Sequence, residues 1–261
     1  MKSEPVFKNA IVRPPTPNFA DGLTTAGLGA PDFARALEQH GRYAGALAHH
    51  GVAVVTAAPD AAFPDATFVE DVAVMTPGGA VLMRPGAKSR AGEVASLRST
   101  IASCVPIAGA IEAPGSVDGG DVCAAGETFF IGLSSRTDEE GARQLGEILA
   151  RQGFAVRIAD VRRADGLLHL KSGMAWLGGR RLLAVDALAR DPAFEGYERV
   201  TVPDDETYAA NAVAIGGRVL LAGGFLKTRR AVEAAGLEVV ALDMSEFQKM
   251  DGGLSCLSLR F

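Results

Sequence analysis

Cysteine is scarce in this sequence. The three present, Cys104, Cys123 and Cys256, are an odd number with no C-x-x-C spacing. That argues against a disulfide framework and against a thiolate zinc site. No run reaches 18 apolar residues, so no membrane partner is expected. The opening MKSEPVFKNAIVRPP has no long apolar stretch, so no signal peptide is expected and a reducing cytoplasm is the expected compartment. A block of Lys and Arg is also missing and the net charge is −5, which speaks against nucleic acid as a partner. No low-complexity linker or shift in composition divides the chain, so residues 1–261 are expected to form a single domain. Apolar residues make up 48% of it. A chain of this length buries roughly three quarters of its unfolded surface and needs no covalent staple.

What is present is a repeat. Four segments read as a polar residue, a short apolar run, a glycine turn and a second apolar run. They are EDVAVMTPGGAVLMRPG (70–86), GDVCAAGETFFIGLS (120–134), KSGMAWLGGRRLLAVD (171–186) and NAVAIGGRVLLAGG (211–224). Glycine between apolar runs signals a hairpin, because tight turns need positive φ. Asp71, Asp121 and Lys171 are spaced 50 residues apart, and Asn211 follows 40 later. A closing run, LSCLSLRF, starts 43 residues beyond that as a strand with no hairpin partner after it. FKNAIVRPP (7–15) is its natural partner and would close a ring. Helical stretches lie between hairpins: 31–51 ending at Gly51, 137–153 opening on a Thr137/Glu140 capping pair, and 226–236. Each is followed by a β-rich run. The unit is ββαβ, repeated about five times. The fold expected is an α/β propeller of five blades around a central site, with an ordinary α/β sheet carrying hairpin insertions as the alternative.

In a radial fold the hairpin starts converge on the axis, and those starts carry the polar chemistry. They hold Asp65, Glu70 and Asp71, then Asp118 and Asp121, then His169, then TVPDDETYAAN, and last Cys256. Each has a plain reading. Glu70 and Asp71 suit a solvated strand entry, DGGD suits a turn, and His169 in GLLHLKSGMAW suits a core histidine. Cys104 and Cys123 read as core, and His40, His49 and His50 as surface or packing residues on a helix. Cys256 alternates along its expected strand with Leu254, Ser258 and Arg260, the more polar face, which weakens the reading of the thiol as filler. A nucleophile, a base and carboxylates arriving from different blades would make a convergent catalytic site.

The ordered set FPDATFVEDVAV, RPGAKSR, DGGDV, FFIGLSSRT, HLKS, TVPDD and MSEFQKMDGGLSC resembles the dimethylarginine dimethylaminohydrolase family of the amidinotransferase and deiminase superfamily. It runs in order from residue 63 to residue 256, and IVRPP and RALEQHGRY near the start are similar too. The resemblance implies a five-bladed α/β propeller. It implies Cys256 as nucleophile, His169 as general acid and base, and Asp118 orienting His169 or holding substrate. Glu70 and Asp71 would face a guanidinium. Asp65, Arg90 and Arg136 would clasp the amino-acid end, with backbone groups from Leu23 and Met250. The loop PNFADGLTTAGLGA around Leu23 departs most from the pattern.

The chemistry so implied is hydrolysis of an N-methylated arginine to citrulline and a methylamine through a covalent thiouronium on cysteine. It needs no metal and no cofactor, and its partner is a small guanidine. The chain would act as a monomer or homodimer. Arginine deiminase, or a hydrolase of another guanidine, is the near alternative. Deiminases place Asp two residues after the catalytic His, where this chain has Lys171, a cation that would repel an unmethylated guanidinium or point away from it. The distant alternative is a non-catalytic propeller binding a cationic ligand, for which Cys256 would be incidental.

Overall fold

The computed structural model of the chain describes residues 7–164 and 166–261. The opening segment read above for a signal peptide lies partly outside them. Fifteen strands and six α-helices are built along the described chain. They are β1 (Asn9–Val12), α1 (Phe33–His49), β2 (Ala53–Thr56), β3 (Ala73–Thr76), β4 (Gly79–Leu82), α2 (Glu93–Cys104), β5 (Ile107–Ala110), β6 (Val122–Ala125) and β7 (Thr128–Leu133). Then come α3 (Glu139–Arg151), β8 (Ala155–Asp160), β9 (Met174–Gly178), β10 (Arg181–Val185), α4 (Asp186–Ala189) and β11 (Glu198–Val202). The last are β12 (Val213–Ile215), β13 (Arg218–Ala222), α5 (Leu226–Ala234), β14 (Glu238–Leu242), α6 (Ser245–Gln248) and β15 (Leu259–Arg260).

The strands form five three-stranded sheets, in the orders β15-β1-β2, β3-β4-β5, β6-β7-β8, β9-β10-β11 and β12-β13-β14. In each, the middle strand pairs antiparallel with one neighbour and parallel with the other. In every blade but the first, the antiparallel partner is joined by a tight turn. The parallel partner needs a crossover, which the helices supply. These are the five blades of an α/β propeller. The ring closes as the sequence suggested: Ala10 pairs with Arg260 and Ile11 with Leu259, so the first blade is built from both ends of the chain.

Three local expectations change. Helix α3 is capped by Asp138, whose side chain accepts from Gly141 N–H, and not by Thr137. Thr137 is instead buried beside Asp118 and Asp121, where a hydroxyl is worth more than at a solvent cap. In the fourth blade the crossover helix shrinks to the single turn α4. Cys104 is half-buried rather than core, because it sits on the last residue of α2.

The helices are amphipathic. Leu145 and Leu149 of α3 are fully buried against Phe129 and Ile131 of β7. No helix among the described residues is long and apolar enough to cross a membrane.

Candidate active site

A short 3-10 turn precedes the inner strand of every blade. The five turns are Val69–Val72, Gly119–Asp121, Leu170–Ser172, Asp204–Ala210 and Ser255–Leu257. They meet at one end of the axis. The fourth does not bring its carboxylates to the centre as the sequence suggested: Asp204 is exposed, Asp205 pairs with Lys227, and Glu206 accepts from Thr228 at the start of α5. Cys256 lies in a turn and not on a strand face, since β15 begins only at Leu259. Gly252 and Gly253 explain why. A Cβ at Gly252 would run into the Phe68 ring and one at Gly253 into Asn211, so the chain passes too close to both for a strand with side chains. Asn211 then fixes the turn by accepting from Ser255 N–H at 2.8 Å and donating to the Lys171 carbonyl at 3.1 Å.

Cys256, His169, Asp71, Asp65, Arg90, Arg136, Leu23 and Met250 line one cavity. Its free volume is only about 30 Å³. The segment around Leu23 closes it: Leu23 N–H donates to both oxygens of Asp65, Thr24 Oγ1 donates to the Lys249 carbonyl, and Thr25 Oγ1 to Asp251. An arginine-sized ligand enters only when this segment moves. With its N–H committed to Asp65, Leu23 has its carbonyl left to offer.

Asp118 lies behind the cavity, fully buried. Its Oδ2 is 3.1 Å from His169 Nε2 and its Oδ1 accepts from Gly86 N–H. That geometry orients the imidazole; it does not reach substrate. Arg136 sits 3.7 Å from the same carboxylate. Arg90 is buried among Asp71 Oδ2 (2.5 Å), Glu93 (2.7 Å) and the Phe68 carbonyl. It therefore braces Asp71 more than it presents a free fork to the cavity.

Glu70 does not face this cavity. Its Oε1 receives Lys171 Nζ at 2.6 Å and Arg260 at 2.9 Å, and its Oε2 accepts from Ser255 Oγ at 2.6 Å. Successive side chains of a 3-10 turn point about 120° apart, so Asp71 faces the thiol cavity and Glu70 a second cavity beyond it. Lys171 follows Glu70 to that far side, so of the two positions the sequence left open it points away from the thiol cavity.

Two groups were missed as site residues. Asp121 accepts from Leu170 N–H, Ser134 Oγ and Thr137 Oγ1, and its charge is foremost among those that raise His169, beside the hydrogen bond to Asp118. Asn211 joins the histidine turn to the cysteine turn. Both were visible as the first polar residue of a repeat, the position that also carries Asp71.

The site's proton inventory follows. Burial opposes a charged His169, yet Asp121, Asp118 and Asp71 outweigh it and raise the ring to about 9. At neutral pH it is an imidazolium. Burial pushes the Cys256 thiol up to about 12, helped by Glu70 and Asp71; Gly253 N–H at 3.4 Å and Lys171 work the other way. The resting thiol is protonated. Alkylation of Cys256 by neutral iodoacetamide, located by peptide mass mapping, should therefore accelerate roughly tenfold per pH unit from neutrality upward. A rate already flat above pH 7 would mean a resting thiolate.

The paired glycines of DGGD have a steric cause. A Cβ on Gly119 would overlap the Glu70 carbonyl oxygen, and one on Gly120 would press on Asp71 and His169 at 2.9 Å. Gly119→Ala should cost at least about 3 kcal/mol, since backbone on both sides must shift. Urea melts read this directly.

Sequence reading expected no metal site. Asp71, Asp118 and His169 nevertheless offer ligand atoms within 4.8 Å of one another, a grouping that geometry alone would allow to hold an ion. Here the balancing charges are organic: Arg90 against Asp71, and the His169 imidazolium against Asp118. A metal would first have to displace that proton.

Comparison with known proteins places this geometry. No protein-family model matches the chain. A dimethylarginine dimethylaminohydrolase of Pseudomonas aeruginosa is 42% identical over 257 residues, 98% of this chain and 100% of that one. One from Streptomyces coelicolor is 34% identical over 97% of this chain and 96% of its own length. The solved structure of the Pseudomonas enzyme, a cysteine-to-serine variant complexed with citrulline, superposes with a TM-score of 0.94 at 40% identity, covering 98% of this chain and all of that one. A dimethylarginine dimethylaminohydrolase with histidine replaced by glycine, as its adduct with S-methyl-L-thiocitrulline, superposes at 0.93 and 40% identity, over 98% of this chain and all of that one. Blades and turns of this kind are those of the amidinotransferase and deiminase superfamily. Within it, the chain belongs to the dimethylarginine dimethylaminohydrolase family.

Proposed function

We propose that this chain hydrolyses Nω-methylated arginine, asymmetric dimethylarginine above all, to citrulline and the corresponding methylamine. The observation that carries the reading is the small cavity whose walls hold a thiol, an imidazolium and a carboxylate braced by arginine. The family's citrulline complex supports it. Residues 1–261 act as one catalytic unit in this reading.

A guanidinium carbon resists attack because resonance stabilises it. Asp71, fixed by Gly120 N–H and Arg90, holds the cation by charge-assisted hydrogen bonds and sets its carbon before Cys256. The arriving cation offsets the Glu70 and Asp71 charges that keep the thiol neutral, so its proton leaves to solvent. It cannot go to His169, which is already protonated. The thiolate forms a C–S bond, and the His169 imidazolium gives its proton to the departing amine as the C–N bond breaks. The ring is then neutral and able to take a proton from water. That water adds to the thiouronium carbon, the C–S bond breaks, the departing thiolate takes the proton of the new C–OH group, and citrulline is released with the thiol and His169 both protonated again. Acid and base are thus one residue used twice. Asp118 and Asp121 favour the return of its proton and need not touch substrate.

The test is citrulline release from asymmetric dimethylarginine and from arginine under the same conditions. Turnover of the methylated substrate at least ~100-fold above arginine in kcat/KM is expected. Turnover of arginine alone would make the chain a deiminase, and turnover of neither would break the substrate assignment.

A further inference from the structure

The larger cavity on the axis is not the one that holds the thiol. It opens on the opposite side of the five turns and has a free volume of about 370 Å³. The chemistry above draws on the charges of Glu70 and Lys171 in its floor but not on its space. We propose that it binds a small amphipathic monocarboxylate, with the carboxylate on Lys171 beside the positive charge of Arg260 and an apolar body along the bore.

The bore exists because the inner strands carry small residues where they face the axis. Ala73, Ala124, Ala175 and Ala214 line it, and larger walls come from Met75 and Trp176. Its size lies within the range of small-molecule sites, which are mostly apolar with few polar anchors. The anchors here are charged. Among the described lining residues the charged side chains are Glu70, Lys171 and Arg260, one negative and two positive. Glu70 is already saturated by Lys171, Arg260 and Ser255. Lys171 has three N–H donors and, among the described residues, Glu70 is its partner. Its remaining donors and the surplus charge suit an anionic head, and one carboxylate would balance the floor. A cation would meet two like charges. A purely apolar ligand would desolvate Lys171 while leaving its remaining donors unsatisfied.

The site stands apart from the catalytic reading. Its lining shares no residue with the thiol cavity, though Ser255 and Gly119 adjoin Cys256 and Asp118 in the chain.

The probe is 3-phenylpropionate, titrated calorimetrically against 3-phenylpropionamide and 3-phenylpropylamine. Saturable 1:1 binding of the carboxylate is expected, at least about tenfold tighter than the amide, with no binding of the amine. Ala124→Trp places an indole at an exposed position of the bore and should weaken binding by at least about tenfold. Lys171→Met should do the same by removing the anchor, and either variant suffices if the other fails to fold by circular dichroism. Prior alkylation of Cys256 should leave the affinity unchanged. Equal affinity for the amide, indifference to both variants, loss on alkylation of Cys256, or no binding at about 5 mM would each overturn the proposal. None of these readouts depends on which guanidine is turned over.

Discussion

Cys256→Ser should release no measurable citrulline from asymmetric dimethylarginine, a loss of at least about 10⁴-fold in kcat. The reason is acidity. The cavity already holds the thiol near 12, and an alcohol starts several units higher, so the arriving cation cannot strip its proton. Stability should hardly change, because the serine Oγ can accept from Gly253 N–H as Sγ does. The variant should still bind citrulline, as the cysteine-to-serine variant of the Pseudomonas relative does. Activity lost with binding and melting point retained marks a nucleophile. Residual turnover within about tenfold of wild type would assign the C–N cleavage to water and leave Cys256 incidental.

Asp71→Asn should be the most damaging conservative change elsewhere in the site, and on two counts. The buried Arg90 loses the charge it meets at 2.5 Å. Truncating a buried pair typically costs 3–5 kcal/mol. Glu93 remains and the amide oxygen can still accept, so about 2–3 kcal/mol is expected here. The guanidinium also loses its carboxylate, which should lower kcat/KM by at least about 10³-fold while binding of neutral citrulline falls far less. The pH sign is fixed. Burial would raise the Asp71 carboxyl, but Arg90 and then His169 hold it below the usual carboxylate range. Its stabilisation is therefore complete above the unfolded value, about 4, and lost as pH falls through the lower folded one. The difference between wild type and variant in urea melts should be full at pH 7 and shrink in acid below about pH 4. A constant difference would show that the pair contributes shape rather than charge.

Both results bear on how far the sequence could be read. Blade number, ring closure and hairpin turns were legible because they depend on periodicity and glycine, which are local or simply repeated. The polar repeat starts also pointed to the axis, and Asp121 and Asn211 sat among them unrecognised. Their roles involve backbone N–H groups and hydroxyls of other blades, such as Leu170 N–H and Ser134 Oγ for Asp121, and no spacing encodes such partners. The misplacement of Cys256 on a strand has a similar origin. LSCLSLRF alternates as a strand does, but contact of Gly252 and Gly253 with Phe68 and Asn211 bends it into a turn.

By itself the sequence determined which chemistry was available: one thiol and one imidazole among carboxylates, carried at the starts of a repeat that closes on itself. Tertiary structure alone decided how those groups are used. It sent Asp71 toward the thiol and its neighbour Glu70, with Lys171, toward the opposite cavity. It charged His169 and left Cys256 neutral. The physical reason is that a proton's place depends on burial and on charges a few ångströms away in space. Asp121, Asp118 and Asp71 surround His169 from 48, 51 and 98 residues away in the chain, a proximity that the folding of three blades around one axis creates.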